Sequence, residues 1–473
     1  MSQAAESGAA IPVSTEASEG RLPLRTVVLF SLPPLGAGYM FFLILFYLLK
    51  FATDVLLIAP AAMGAIFMAG RIWDAVSDPV AGYWSDRTRT RLGRRRPWLL
   101  ASALPIGLAF VMIWSPPASL TGAGLVTWMA VAVLGFYSAM TILIVPHTSL
   151  GAELTTSYHD RTRVFGVRQV AWYLGMFLTL LSLWALTASE DPRSLVSGLA
   201  VAAAAGTALL IATTALRLHE RSEFQGRGGR KPYRAFADVL RNPHARLLLV
   251  VYLVESCGGA TVGVLTIYFS EYVLGTPHLT TFYIGAYIVC ATASIPAWVA
   301  LSRRVGKKGL WCLAMSATGV LFGATFLLGR GDAAGLLVIA ALLGVAAGSG
   351  NVIGPSIQAD VIDWDEWRTH ERKEGAYFAA WNFVFKMATG LTLGITGFVL
   401  QATGFEPNVE QEESARFAIR ALYGLFPLAC YAMAALLLLR FDFNEEEYAA
   451  VRAEIDSRGE APSGDRKPPG GND

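Results

Sequence analysis

Stretches of about twenty apolar residues, long enough to cross a bilayer as a helix, recur along this chain, with charge gathered mostly in the connections between them. Backbone in hydrocarbon must bond its own N–H and C=O groups, which confines such segments to helices packed in a bundle. The runs fall near residues 27–52, 59–84, 98–116, 122–150, 163–187, 194–216, 246–273, 280–301, 309–329, 333–358, 375–402 and 415–440. They predict an all-α integral membrane protein with twelve transmembrane helices. A soluble binding module is excluded, since 54% of the residues are hydrophobic and only 16% charged.

The cationic residues set the topology. Clusters at Arg87 to Arg96, Arg161 with Arg163, Arg217 to Arg246, Arg303 to Lys308, Arg368 to Lys373 and the C-terminal flank occupy alternate connections. By the positive-inside rule they place both termini in the cytoplasm, and the acidic Glu190-Asp191 and Glu410 to Glu413 connections outside. The net charge of +2 is segregated rather than patched, so no nucleic-acid partner is implied. Residues 1–20 are polar and small, with no secretory signal ahead of the first run, which is expected to remain as a helix of the cytoplasmic membrane. The four cysteines lack metal-ligand spacing and read as packing residues.

The longest internal connection carries Gly226-Arg227-Gly228-Gly229-Arg230-Lys231-Pro232 and divides the runs six and six. The halves echo each other. Gly93-Arg94-Arg95-Arg96-Pro97-Trp98 is answered by Gly306-Lys307-Lys308-Gly309-Leu310-Trp311, and Pro146 with Ala152-Glu153 by Pro355 with Ala359-Asp360. Two pseudo-symmetric six-helix bundles are expected around a central cavity. The resulting division is 1–22 disordered cytoplasmic tail, 23–217 N-terminal bundle, 218–245 cytoplasmic linker, 246–442 C-terminal bundle and 443–473 cytoplasmic tail.

One span breaks the apolar pattern. Gly70-Arg71-Ile72-Trp73-Asp74-Ala75-Val76-Ser77-Asp78-Pro79 puts two carboxylates and a guanidinium inside the second run, where charge is expensive and usually functional. Asp74 and Asp78 are four residues apart and share a helix face with Arg71. That face must look toward protein or water. The bland alternative is that Arg71 simply pairs with an aspartate to hold the bundle together.

The string from Arg71 to Pro79, with Arg91-Leu92-Gly93-Arg94 and Pro97-Trp98, resembles the signature of the glycoside-pentoside-hexuronide:cation symporters, a branch of the major facilitator superfamily that includes the melibiose-permease type. A second block, Ala359-Asp360-Val361-Ile362-Asp363-Trp364-Asp365-Glu366-Trp367 followed by Arg372, Glu374-Gly375 and Lys386, carries the same resemblance in the other half. It implies the major facilitator fold and a cation site of Asp74, Ser77, Asp78 and Thr141, with Asp74 and Asp78 as ligands if the ion is Na+; a proton could serve instead. Ser77 stands where the melibiose type has asparagine. The resemblance also places Arg168 and Lys386 at the substrate, Lys386 with Asn382 one turn earlier on its face. The carboxylates that grip a galactosyl ring in the melibiose type are replaced here by Ala37 or Gly38 and by Ile144, and the stacking tryptophan by Thr148. A bland role stays open for both cations: Lys386 pairing with a helix-two aspartate, Arg168 anchoring its helix.

Tyr252-Leu253-Val254-Glu255-Ser256 and Ser294-Ile295-Pro296-Ala297-Trp298 resemble a related group, the sodium-dependent lysophosphatidylcholine symporters, in which such an acid serves headgroup binding and gating. Glu255 is read as a substrate or coupling residue, alternatively as an ion-pair partner of Arg168 or Lys386. Glu153, Arg161, Arg163, Asp360 and Arg372 are expected to form a cytoplasmic gate, paired in the outward-facing state and broken in the inward-facing one. His147 is read as lying against the cavity wall, and Asp54 as solvated surface with an outer gate as the alternative.

No phosphate-cradling loop and no nucleophile or metal constellation supports an enzyme or an ATP-driven pump. The chain reads as a secondary active symporter coupling Na+ or H+ entry to uptake of a glycoside or related carbohydrate by alternating access, alternatively as a sodium-coupled lysophospholipid symporter. Its partners are the solute, the coupling cation and the bilayer; no cofactor is expected, and a monomer is the default.

Overall fold

A computed structural model describes residues 22–155, 158–220, 239–369, 374–443 and 447–451, together with residues 237, 453 and 454. The first half runs through α1 (Leu24–Lys50), α2 (Pro60–Arg87), α3 (Arg96–Trp114), α4 (Gly122–Glu153), α5 (Tyr158–Ala188) and α6 (Pro192–Arg217). The second comprises α7 (Pro243–Tyr268), α8 (Thr280–Val305), α9 (Lys307–Thr325), α10 (Ala333–Ala347), α11 (Gly350–Thr369), α12 (Glu374–Ala402), α13 (Glu413–Arg420) and α14 (Phe426–Leu439). Proline opens α2, α6 and α7, where its missing N–H costs no hydrogen bond. Asp191 and Asn242 cap α6 and α7 by accepting from first-turn amides.

By length and apolar composition, nine spans among the described residues can cross a membrane. Three further stretches of the expected twelve are helical without meeting that measure: α2, which carries the charges of Arg71, Asp74 and Asp78, α9, and α10 with α11. These last two were expected as one run over 333–358; they are separated by a turn at Gly348-Ser349. A π turn extends the first and seventh spans, at Phe51–Val55 and Phe269–Leu274, and a third, Ala421–Leu425, joins α13 to α14.

Small residues let the helices approach closely. Within the first half, an ideal Cβ on Gly38 would lie 2.6 Å from the Trp172 carbonyl oxygen, and one on Gly175 only 2.3 Å from that of Leu35, so α1 and α5 interlock. Between the halves, α2 meets α12 through Gly64, Gly390, Gly394 and Gly397; a Cβ on Gly397 would sit 2.3 Å from the Pro60 carbonyl oxygen.

The buried apolar residues form two clusters. One fills the second half, whereas the other runs through the first half and continues into residues 264–274, 393–405 and 415–423. The halves therefore share a continuous apolar core at the end that carries the π turns of the first and seventh spans. The sequence places that end outside the cell.

At the opposite end, α3 and α6 cap each other. Glu220 accepts from the backbone N–H of Arg94, Arg95 and Arg96 at 2.8, 2.9 and 2.7 Å, filling the start of α3. Arg96 returns the bond to the last carbonyls of α6, those of Ala215 and Leu216. Gly93 makes the turn possible, with φ of +106° and the Glu220 carboxylate 2.5 Å from where a Cβ would stand. In the second half, the described residues beyond 442 dock on α11: Tyr448 donates to Asp363 at 3.2 Å and Trp367 to Glu454 at 2.7 Å.

Candidate cation and coupling site

Helical spacing on α2 brings Asp74 and Asp78 to one face, opposite Thr141 of α4 and Lys386 of α12. The Thr141 hydroxyl lies 2.8 Å from Asp74 Oδ1, 2.9 Å from Asp78 Oδ1 and 3.1 Å from Ser77 Oγ. From the other half, Lys386 Nζ reaches Asp78 Oδ2 at 2.5 Å and Asp74 Oδ2 at 2.9 Å. Each carboxylate thus offers one oxygen to the ammonium and the other to the threonine. Arg71 is 3.6 Å from Asp74 Oδ2, and its guanidinium is held between the rings of Phe41 and Tyr137 at 5.2 and 4.6 Å.

Two consequences follow from this geometry. The formal charges of Arg71 and Lys386 cancel those of Asp74 and Asp78, so an added cation is favoured only when Lys386 withdraws. A hydroxyl also has a single hydrogen, so Thr141 can donate to only one carboxylate oxygen at a time. A proton on either carboxyl would supply the donor for the second contact, with the threonine oxygen accepting. Two carboxylate oxygens and two hydroxyls form a donor set suited to a hard monovalent ion or a shared proton. Arg71 supplies the structural pairing weighed from the sequence, while Lys386 makes the cluster a link between halves.

The expected substrate residues are not gathered into a comparable cluster. Asn382 is exposed one turn before Lys386. Arg168 is half-buried with an unbonded Nε and makes no ion pair among the described residues. Glu255 pairs with neither Arg168 nor Lys386; its Oε1 accepts from the Trp311 indole at 3.3 Å. Of the two positions expected in place of one sugar-gripping carboxylate, Ala37 and Gly38, Gly38 packs α1 against the Trp172 backbone.

Among the described residues, three of the gate residues have partners in their own halves. Glu153 accepts from Arg94 at 2.6 Å and Arg95 at 3.1 Å, Arg163 lies 3.9 Å from Asp160, and Asp360 holds Lys307 at 2.6 Å. Arg372 and the side chain of Arg161 lie outside the described residues. His147, expected against the cavity wall, is completely buried, stacked 4.2 Å from Phe30 with Nε2 2.7 Å from the Phe30 carbonyl oxygen.

Sequence reasoning undervalued the opposite end. Asp54, read as solvated surface, is buried and joins the halves. Lys50 bridges it at 2.6 Å to Glu271 at 2.5 Å. Tyr272 also donates to the Asp54 carboxylate, Asn408 Nδ2 donates to the Asp54 carbonyl at 2.6 Å, and Thr53 meets the Tyr268 hydroxyl at 2.9 Å. The available signal was the pairing of a charged end of the first span with an acidic, tyrosine-bearing end of the seventh.

A helical bundle of two halves, joined by an ionic cluster within the membrane and sealed by a second one near its end, has the architecture of a secondary carrier. Residues 29–445 match the MFS/sugar transport protein family, and the chain belongs to it. It is similar to the isoprimeverose transporter of Lactiplantibacillus pentosus, 28% identical with 88% of each chain covered. It is also similar to the glucuronide carrier protein homolog of Escherichia coli strain K12, 23% identical over 93% of this chain and 96% of that one. Among solved structures, the D-xylose-proton symporter superposes with a TM-score of 0.62 at 15% identity, covering 88% of this chain and 97% of that one, a likeness of fold alone.

Proposed function

We propose that this protein is a cation-coupled symporter of the cytoplasmic membrane that carries a glycoside or related carbohydrate by alternating access, with both termini in the cytoplasm. The observation that carries the reading is the four-sided cluster in which Lys386 of one half sits on Asp74 and Asp78 of the other. The names of the relatives, an isoprimeverose transporter and a glucuronide carrier homolog, support the carbohydrate class.

In this mechanism Asp74, Asp78, Ser77 and Thr141 take up Na+ or H+ when Lys386 leaves. The freed ammonium and Asn382 then face the solute, with Arg168 contributing from the first half. Cation and solute tighten one another because each favours the arrangement the other needs. The interlocked outer end corresponds to an inward-facing carrier, with Lys386 standing in for the cation. For a lysophospholipid, the zwitterion-binding pair of Glu255 and Arg168 is not assembled, so the carbohydrate reading is preferred.

The test is gradient-driven uptake in a host without endogenous glycoside carriers, offering labelled sugars beside a labelled lysophospholipid under Na+ and H+ gradients. Accumulation of a sugar, lost in Asp78→Asn, supports the proposal and identifies the ion. Uptake of the lysolipid alone overturns the substrate class.

A further inference from the structure

We propose that Glu255 is a proton-binding site of its own, separate from Asp74 and Asp78, whose protonation governs the hold of α7 on the first turn of α11. The inference does not depend on which solute is carried.

Glu255 stands near the middle of α7, a span of the membrane-crossing set. No described cation lies within ion-pair distance of it. Among the described residues, its one hydrogen bond comes from the buried Trp311 indole of α9. The ionisable groups that interact with it are the phenols of Tyr252 on its own helix, Tyr287 on α8 and Tyr431 on α14. From α12, Trp381 stacks on Tyr252 at 4.2 Å and brings no charge. From α11, Gly350 is the neighbour, close enough that a Cβ there would be 3.6 Å from Glu255 Oε1.

Glu255 is half-buried, so water reaches its carboxylate, and with no described cation beside it the group is sustained by that water together with a proton or with oriented dipoles. Both of the latter are available here. The turn at Gly348-Ser349 ends α10 and starts α11 within the span, so the positive end of α11 is presented beside Glu255, as at interrupted helices elsewhere in carriers. The ionised form is held by that helix end and by the indole N–H. Proton uptake from water at Oε2 removes the charge and with it the attraction to α11. Further along α11, Asp360 at its middle is bonded to Lys307, and Asp363 and Trp367 toward its other end are bonded to the C-terminal segment. Loosening at Gly350 therefore reaches the inner face through one rigid helix.

The experiment uses full-length protein in lipid nanodiscs, without solute. Infrared difference spectra between acid and alkaline buffer should contain a carboxylic-acid C=O stretch that is lost in Glu255→Gln, retained in Asp78→Asn and shifted in Trp311→Phe. Spin labels on cysteines at positions 87 and 368 should report a distance that titrates over the same pH range. That titration should vanish in Glu255→Gln and move along the pH axis in Glu255→Asp, which guards against a misfolded glutamine variant. A band unchanged by Glu255→Gln, or a distance that titrates in that variant as in the parent, overturns the proposal.

Discussion

Lys386 and Asp78 come from opposite halves and meet at 2.5 Å, so a close ionic contact among the helices is also a joint between the two halves. The two side chains are 24% and 29% exposed, so losing one partner should cost less than the roughly 3–5 kcal/mol typical of a fully buried pair. Asp78→Asn is expected to abolish gradient-driven accumulation while leaving the protein in the membrane. Uptake against a gradient at the parental level would remove Asp78 from the coupling role.

Arg71 is an internal brace. It is 4% exposed and lies between two aromatic faces beside Asp74. Arg71→Met keeps the volume but removes a charge 3.6 Å from Asp74, leaving that carboxylate to Lys386 and Thr141, and should lower stability by about 1–3 kcal/mol. Thermal unfolding in detergent, with and without the coupling ion, measures this; added cation should recover part of the loss.

The outer cluster makes a conformational prediction. Asp54→Asn removes the negative partner of Lys50 and weakens the acceptor for Tyr272, and should shift the population toward the outward-facing state. Alkylation of a cysteine placed near the outer end of α7 should be faster in Asp54→Asn than in the parent. Equal rates would mean that the cluster is not a gate.

Gly397→Ala tests the seam between the halves. Its Cβ would stand 2.3 Å from the backbone oxygen of Pro60, which cannot rotate aside. The same alkylation rate should rise, and transport should fall, while the fold of each half is kept.

At the start of α3, Gly93→Ala should cost about 1–3 kcal/mol through a strained backbone, and Glu220→Ala about 1 kcal/mol through the lost helix cap. Because both changes disrupt one connection, the double variant should lose less than the sum. Denaturation of the single and double variants checks it.

The bundle was legible because the bilayer writes its own pattern: each helix that meets lipid must be apolar over its length, as in α4 and α6. The ionic site was legible for the opposite reason, since Asp74 and Asp78 violate that pattern. The break at Gly348-Ser349 was not, because a short turn of small residues leaves hydropathy unchanged. Asp54 was misjudged for a related reason. A charged residue at the end of an apolar run looks like surface until the partner that buries it, here residues 268–272 and Asn408, is brought up by tertiary packing. Glu255 showed its position but not its neighbours, which come from four other helices.

The π turns at Phe51–Val55 and Phe269–Leu274 stand at matching places in the two halves, and between them they carry Asp54, Glu271 and Tyr272. A π turn is a helix holding one residue in reserve. Surrendering that residue to the regular winding swings whatever follows by about 100°. Both sides of the Asp54 cluster thus hold the same slack, and rewinding the two helix ends would part them without uncoiling either stem.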